Sequence, residues 1–191
     1  MNDIQNKIDE CSAFLKKIQT GSPTIGIVLG TGLGALVDKI NVKAKVSYSE
    51  IPHFPVATVE FHRGALIFGT VGDKNVVIMQ GRFHYYEGYS MQQITFPVRV
   101  MKKLGVQHLL LSNAAGGINK DYKKGDLIII NDHINLQPEN PLRGLNDPSF
   151  GNRFVDMCRP YDPTLNKALN DAAAEMYVDL KNGVYAAVPG P

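Results

Sequence analysis

Ile4, Ile8, Phe14, Leu15 and Ile18 lie at helical spacing and predict an amphipathic helix, stopped by Gly21 and Pro23. The pattern then changes period. "TIGIVLG" is a short continuous apolar run and predicts a buried strand; "GTGLG" follows it, and "ALVDKI" reads as the start of a helix. "ALIFGTVGDKNVVIMQG" sets two apolar runs around "GDKN" and predicts a hairpin. The segment "GRFHYYEGYS" comes next. Ser90 opens another helix, with Gln93 three residues on as in a capping box. Pro97 predicts a kink in it and Gly105 its end. "VQHLLLS" and "DLIIIND" predict two more strands, the first followed by the small-residue loop "NAAGG". After the polar loop "PENPLRGLNDPSFGNR", Asp162 and Pro163 fit the cap and first position of a helix carrying Leu165, Leu169 and Met176. "GVYAAV" is the last strand.

Strands alternating with helices predict an α/β fold: a mixed, largely parallel twisted sheet flanked by helices on both faces. No internal repeat or low-complexity linker interrupts the pattern, so residues 1–191 are expected to form a single domain. Ligands of such sheets gather at the loops beyond the carboxyl ends of the strands. Three loops leave strands in that way, "GTGLG", "GRFHYYEG" and "NAAGG".

Composition narrows the partners. Apolar residues make up 44% of the 191 and charged residues 20%, an ordinary globular balance. The net charge of +2 provides no global field for nucleic acid or an acidic membrane, so local groups must do any anion binding. Cys11 and Cys158 are far apart with no CxxC, which argues against a disulfide framework and suits a reducing cytoplasm. The N-terminal residues intersperse acids and lysines, unlike a signal peptide. No apolar run approaches the ~20 residues of a membrane-spanning helix. No His/Cys cluster has metal-ligand spacing, so no metal is expected. Ser112 lacks the G-x-S-x-G elbow of serine hydrolases.

Each loop admits two readings. Gly30, Gly32 and Gly34 allow a sharp turn with exposed N–H groups, and a helix after them adds its positive end; that combination suits phosphate, with Thr31 as a hydroxyl donor. The same glycines could simply make a tight strand-to-helix turn. Residues 30 to 35 also match a dinucleotide fingerprint, with Glu50 as a loose stand-in for its ribose-binding acid, which would suit a nucleotide-cofactor oxidoreductase. Arg82 can grip a phosphate with two parallel hydrogen bonds, and a histidine such as His84 can donate or accept a proton near neutral pH. In an extended segment Arg82, His84 and Tyr86 share a side, with Phe83 and Tyr85 packed behind and the Tyr86 ring available to a sugar. The bland alternative is an arginine paired with a carboxylate beside a structural histidine. The side chains of "NAAGG" are too small to reach a ligand, so its use is close backbone approach through the Ala114 and Ala115 amides, or else packing. His62, in "EFHRG", is a further phosphate donor or a surface histidine.

Taken in order, "GTGLG", "EFHRG", "MQGRFHYYEGYSMQQITFPVRVMKKLGV", "SNAAGGIN", "GDLIIINDHINL", "NPLRGLND" and "GVYAAVPGP" resemble the trimeric purine nucleoside phosphorylases. That family also includes methylthioadenosine phosphorylase; "GRFHYYEG" and "NPLRG" favour the purine nucleoside branch. The likeness runs from about Ile25 to Pro191. It implies phosphorolysis of purine ribo- or deoxyribonucleosides to free base and sugar 1-phosphate, in purine salvage. No cofactor is implied beyond inorganic phosphate as co-substrate. Carried over, Thr31, His62, Arg82, His84 and the Ala114 amide would surround phosphate, Arg82 and His84 being the catalytic pair. Tyr86 would contact the ribose, and Phe154 would be lent by one subunit of a homotrimer to its neighbour's sugar pocket. Thr31 stands where that branch often has serine, which keeps the hydroxyl. The family pattern continues past "AVPGP" with a base-binding Ser-Phe-Glu. The resemblance therefore implies that base recognition lies beyond Pro191, and that these 191 residues alone are inactive or nearly so. A non-catalytic phosphate-binding or oligomerisation module of the same fold is the alternative.

Overall fold

A computed structural model describes residues 3–55, 64–144 and 148–189. The chain divides into two compact units, Met1–Ala114 and Ala115–Pro191.

The first unit runs α1 (Asp3–Lys16), β1 (Ile25–Val28), β2 (Asn41–Ser47), β3 (Ala65–Val71), β4 (Lys74–Gln80), α2 (Met91–Leu104) and β5 (His108–Leu111). Its sheet has the order β2-β3-β4-β1-β5. β3 and β4 form the expected hairpin, antiparallel from Ala65↔Gln80 to Val71↔Lys74. The turn is tighter than "GDKN", because Lys74 and Asn75 pair within β4; Gly72, at φ 57, supplies the left-handed residue the turn needs. Leu66, Ile67, Val77 and Ile78 are buried on alternate sides, as in strands covered on both faces. β1 lies between β4 and β5 and is parallel to both.

One face of the sheet is covered by α2. A Cβ on Gly26 would stand 3.0 Å from Met101 Sδ and 3.1 Å from a Val106 methyl, so the missing side chain lets helix and strand meet closely. The capping box forms as predicted: Gln93 N donates to Ser90 Oγ at 3.3 Å, and Ser90 N to Gln93 Oε1 at 2.8 Å. Gly105, at φ 111, ends the helix. Pro97 is accommodated inside it. α1 packs on α2, with Ile8, Cys11 and Leu15 buried and Lys103 Nζ 2.7 Å from Asp9 Oδ1.

The other face differs from expectation. "ALVDKI" begins no α-helix; Gly34–Lys39 is a short 3-10 turn. Val37 and Ile40 close over Leu29, Ile67, Val76 and Ile78, and the chain then enters β2, a strand the periodicity did not announce. The "NVKAKVS" strand is mostly exposed, carries two lysines and lies at the sheet edge, so its own sequence holds little apolar signal. Pairing with β3 fixes it, from Asn41↔Thr70 to Ser47↔Ala65 with a register shift between Val42 and Ala44.

The second unit contains β6 (Leu127–Asn135), α3 (Pro163–Glu175) and β7 (Leu180–Ala187), with β6 and β7 parallel. Asp162 caps α3, accepting from Thr164 N at 2.8 Å and Leu165 N at 3.2 Å, and Asn166 Nδ2 donates to Ile130 O of β6 at 3.2 Å. Gly183 leaves room for Tyr122, whose hydroxyl donates to Asn182 O at 2.7 Å. His133 Nδ1 lies 2.5 Å from Tyr161 Oη, and its ring is also beside Tyr185. Burial, with Asp132 and Tyr185 near, pushes the Tyr161 phenol up. Among the described hydrophobic residues of this unit, Ile129 and Ala173 are buried, while Leu127, Ile134, Leu136 and Val184 are exposed.

Mixed α/β architecture with a helix-flanked sheet is the class the sequence implied. No helix of the described residues is long and apolar enough to cross a membrane.

Candidate functional site

Parallel register brings three strand ends to one level. Val28 of β1 stands opposite Met79 of β4 and Leu111 of β5. Beyond them Leu29 N donates to Met79 O at 3.1 Å, and Ser112 N to Val28 O at 3.2 Å. The loops after β1, β4 and β5 therefore leave the same edge of the first unit side by side.

Contacts between them are specific. Gly30 N donates to Ser112 Oγ at 2.9 Å, and Ser112 Oγ donates to Val28 O at 3.1 Å. The backbones are pressed together: a Cβ on Gly30 would sit 2.6 Å from Ser112 O and 2.9 Å from Asn113 Cα. Arg82 Nη1 donates to Ser112 O at 2.6 Å, so the β4 loop joins the other two. A guanidinium has five N–H donors, and this contact uses one. Among the described residues, Arg82's partner is thus a backbone carbonyl and not the carboxylate of the bland alternative.

The arginine is braced from behind. Tyr48 donates from its hydroxyl to Gly81 O at 2.7 Å, and burial pushes its phenol pKa up, so it remains a donor. Phe83 is buried between Tyr48 and Tyr89, with ring centroids 5.2 and 5.4 Å away. His84 is extended, at φ −121 and ψ 148; Tyr85–Glu87 then make a 3-10 turn closed by Gly88 at φ 93. His84 and Tyr86 fall on a common side and stack, 4.9 Å apart and 21° from parallel, and His84 Nε2 is 4.0 Å from Glu87 Oε1. Tyr86 is 60% exposed, a ring presented outward.

Thr31, Gly32 and Ala114 are exposed, and Gly32 has φ 87. The Ala114 carbonyl accepts from Asn113 Nδ2 at 3.0 Å. His62 lies outside the described residues. Phe154 belongs to the second unit, where it is 85% exposed with the Arg153 guanidinium 5.6 Å from its ring centroid.

Two expectations change. A dinucleotide fingerprint needs a helix after its glycines, but this loop enters a 3-10 turn and then an antiparallel strand. Glu50, offered as the ribose acid, instead accepts from Ser47 N at 3.0 Å and closes a local capping box. The oxidoreductase reading is set aside, and the helix-dipole contribution to anion binding goes with it. The sequence reading also missed Ser112 and Tyr48 as parts of this site. In sequence Ser112 shows only as a hydroxyl without a nucleophile elbow, and Tyr48 is far from the loops. A small hydroxyl residue ending the strand before "NAAGG" was the one available signal.

The geometry defines a class: an α/β protein whose central parallel strands end in three loops joined by Gly30, Ser112 and the Arg82 guanidinium. Comparison with known proteins makes this specific. The phosphorylase superfamily profile matches residues 24–191. Purine nucleoside phosphorylase 1 of Bacillus subtilis is 50% identical over 98% of this chain and 69% of its own length. The bovine purine nucleoside phosphorylase is 44% identical over 88% of this chain and 60% of its own. The Schistosoma mansoni purine nucleoside phosphorylase crystallised with acetate superimposes with a TM-score of 0.92 at 43% identity, covering 97% of this chain and 70% of that one. Isoform 2 from the same organism, crystallised with cytosine and ribose-1-phosphate, gives 0.92 at 42%, covering 97% and 67%. The chain belongs to the phosphorylase superfamily and, within it, to the purine nucleoside phosphorylases.

Proposed function

We propose that the chain serves the phosphorolysis of purine ribo- and 2′-deoxyribonucleosides, giving free purine and (deoxy)ribose 1-phosphate in cytoplasmic purine salvage. One observation carries the reading: Arg82, Gly30 and Ser112 tie three strand-end loops into a single cradle. The named relatives, one of them crystallised with ribose-1-phosphate, support the reaction class. Both cysteines are free thiols, in keeping with a reducing compartment.

In this reading Thr31, His62, Arg82, His84 and the Ala114 amide surround inorganic phosphate, the only co-substrate. Tyr86 stacks on His84 and offers its exposed face to the ribose. Phe154, exposed and held under Arg153, is lent across a homotrimer interface to a neighbouring sugar pocket. The bond from C1′ to the purine nitrogen lengthens, and its electron pair leaves with the base. Positive charge grows on the sugar, and the adjacent phosphate oxyanion stabilises it. A phosphate oxygen then bonds to C1′, and the leaving purine is protonated. Arg82 and the loop amides fix the nucleophile, removing much of the entropic barrier to encounter. His84 is foremost a phosphate ligand.

The test follows inosine and phosphate together. Hypoxanthine release that requires phosphate and yields ribose 1-phosphate supports the reaction; release without phosphate overturns it. Phosphate binding, read by 31P line broadening, examines the cradle separately. Binding without turnover, even when the family's base-binding segment is supplied, favours the non-catalytic module. In a chain extended by the family's base-binding segment, Arg82→Ala is expected to raise the phosphate requirement at least tenfold, the order of one lost charged hydrogen bond, with the fold intact by circular dichroism. An unchanged phosphate dependence contradicts Arg82's role.

A further inference from the structure

We infer that Ser112 is a positioning residue of the phosphate cradle: its hydroxyl locks the β1 loop to the β5 loop, and its carbonyl aims the Arg82 guanidinium. The inference rests on the reading of the cradle as a phosphate site and assigns no direct contact with phosphate to Ser112.

The hydroxyl has both of its roles filled across two chain segments. It accepts from Gly30 N at 2.9 Å and donates to Val28 O at 3.1 Å. That fixes the first amide of "GTGLG", and Leu33 N closes the turn by donating to Gly30 O at 3.3 Å. The hydroxyl is half-buried, where a stranded N–H is costly because water reaches it poorly. Gly30 completes the lock, since its missing side chain lets the Ser112–Asn113 backbone pass within the space a Cβ would occupy.

The carbonyl works on the other loop. Arg82 Nη1 donates to Ser112 O at 2.6 Å, which tethers the guanidinium to the backbone one residue before "NAAGG". A flexible arginine loses side-chain entropy when it grips an oxyanion; one already anchored through a single donor loses less. Tyr48 donates to the adjacent Gly81 carbonyl, so Arg82 is held next to its backbone and at its tip. If the hydroxyl is removed, the Ser112 backbone is free to shift, and the arginine follows the carbonyl.

The experiment compares Ser112→Ala and Ser112→Thr with the unaltered protein. Phosphate binding is read by 31P line broadening and folding by thermal melting. Ser112→Ala is expected to weaken phosphate binding by roughly tenfold, the scale of one or two neutral hydrogen bonds, with the fold retained. Ser112→Thr, which keeps the hydroxyl, restores most of the affinity. In a cycle with Arg82→Ala, the two losses are less than additive, because Ser112 acts through Arg82. Equal phosphate affinity in Ser112→Ala and the parent overturns the inference while leaving the phosphate site standing. Equal losses in Ala and Thr variants, or fully additive losses with Arg82→Ala, overturn it too, since packing alone would give them. A folded parent that binds no phosphate overturns the cradle reading itself, and this inference with it.

Discussion

Gly30 has no room for a side chain. A methyl there would meet the Ser112 carbonyl and the Asn113 backbone, neither of which can swing aside as a flexible side-chain end would. Gly30→Ala is therefore expected to cost about 1–3 kcal/mol of stability, the range for overpacking a close contact. It should also weaken phosphate binding, because the loops are forced apart. Urea unfolding with a phosphate titration checks both; full stability with parental phosphate affinity would show that the loops do not need this approach. Residue identity was legible in the sequence where chemistry is carried by a side chain of unusual type, as in Arg82, His84 and Tyr86 within ten residues. It was not legible where a common residue acts through the backbone. Ser112 and Gly30 matter because two segments 82 positions apart touch, and local sequence does not encode that distance.

At the scale of elements, α2 shows local and tertiary signals in agreement. Its cap, its left-handed glycine stop and its buried stripe of Phe96, Val100, Met101 and Leu104 all act over short range. Ser90→Ala is expected to cost about 1 kcal/mol, the usual worth of an N-cap, seen as a lower urea midpoint with the slope unchanged. No loss would mean that tertiary packing alone holds the helix start. The 3-10 turn at Gly34–Lys39 is the opposite case. "ALVDKI" contains good helix formers, yet the chain must reach β2 and pair with β3, and that requirement overrides propensity. β2 itself escaped notice because an edge strand with an exposed face carries lysines where a buried strand carries valines.

At the scale of the whole molecule, the first unit holds nearly all of the buried apolar residues and the Gly30, Arg82 and Ser112 junction, while the second presents several exposed apolar residues. The proposal that Phe154 serves a neighbouring subunit leads to a complementation test. It uses chains extended by the family's base-binding segment: those carrying Arg82→Ala lack the cradle arginine but keep Phe154, and those carrying Phe154→Ala have the reverse. Each variant alone should be impaired. Refolded together, they should recover part of the parental rate, since some mixed interfaces combine an intact Arg82 with an intact Phe154. Mixing that yields only the average of the two separate rates would place Phe154 and Arg82 in one subunit's site, or remove Phe154 from the site.

By itself the sequence determined most of the strand and helix pattern, the caps of α2 and α3, and the gathering of Arg82, His84 and Tyr86 after β4, because those depend on residue type and short-range spacing. The family followed from motifs kept in order along the chain. Only the tertiary structure decided which loops meet, that Arg82 leans on the Ser112 carbonyl, and that the glycine loop leads into a 3-10 turn and an edge strand. Those outcomes depend on parallel register and close backbone contact between segments remote in sequence, where the deciding quantity is a distance of a few ångströms and not the identity of any one residue.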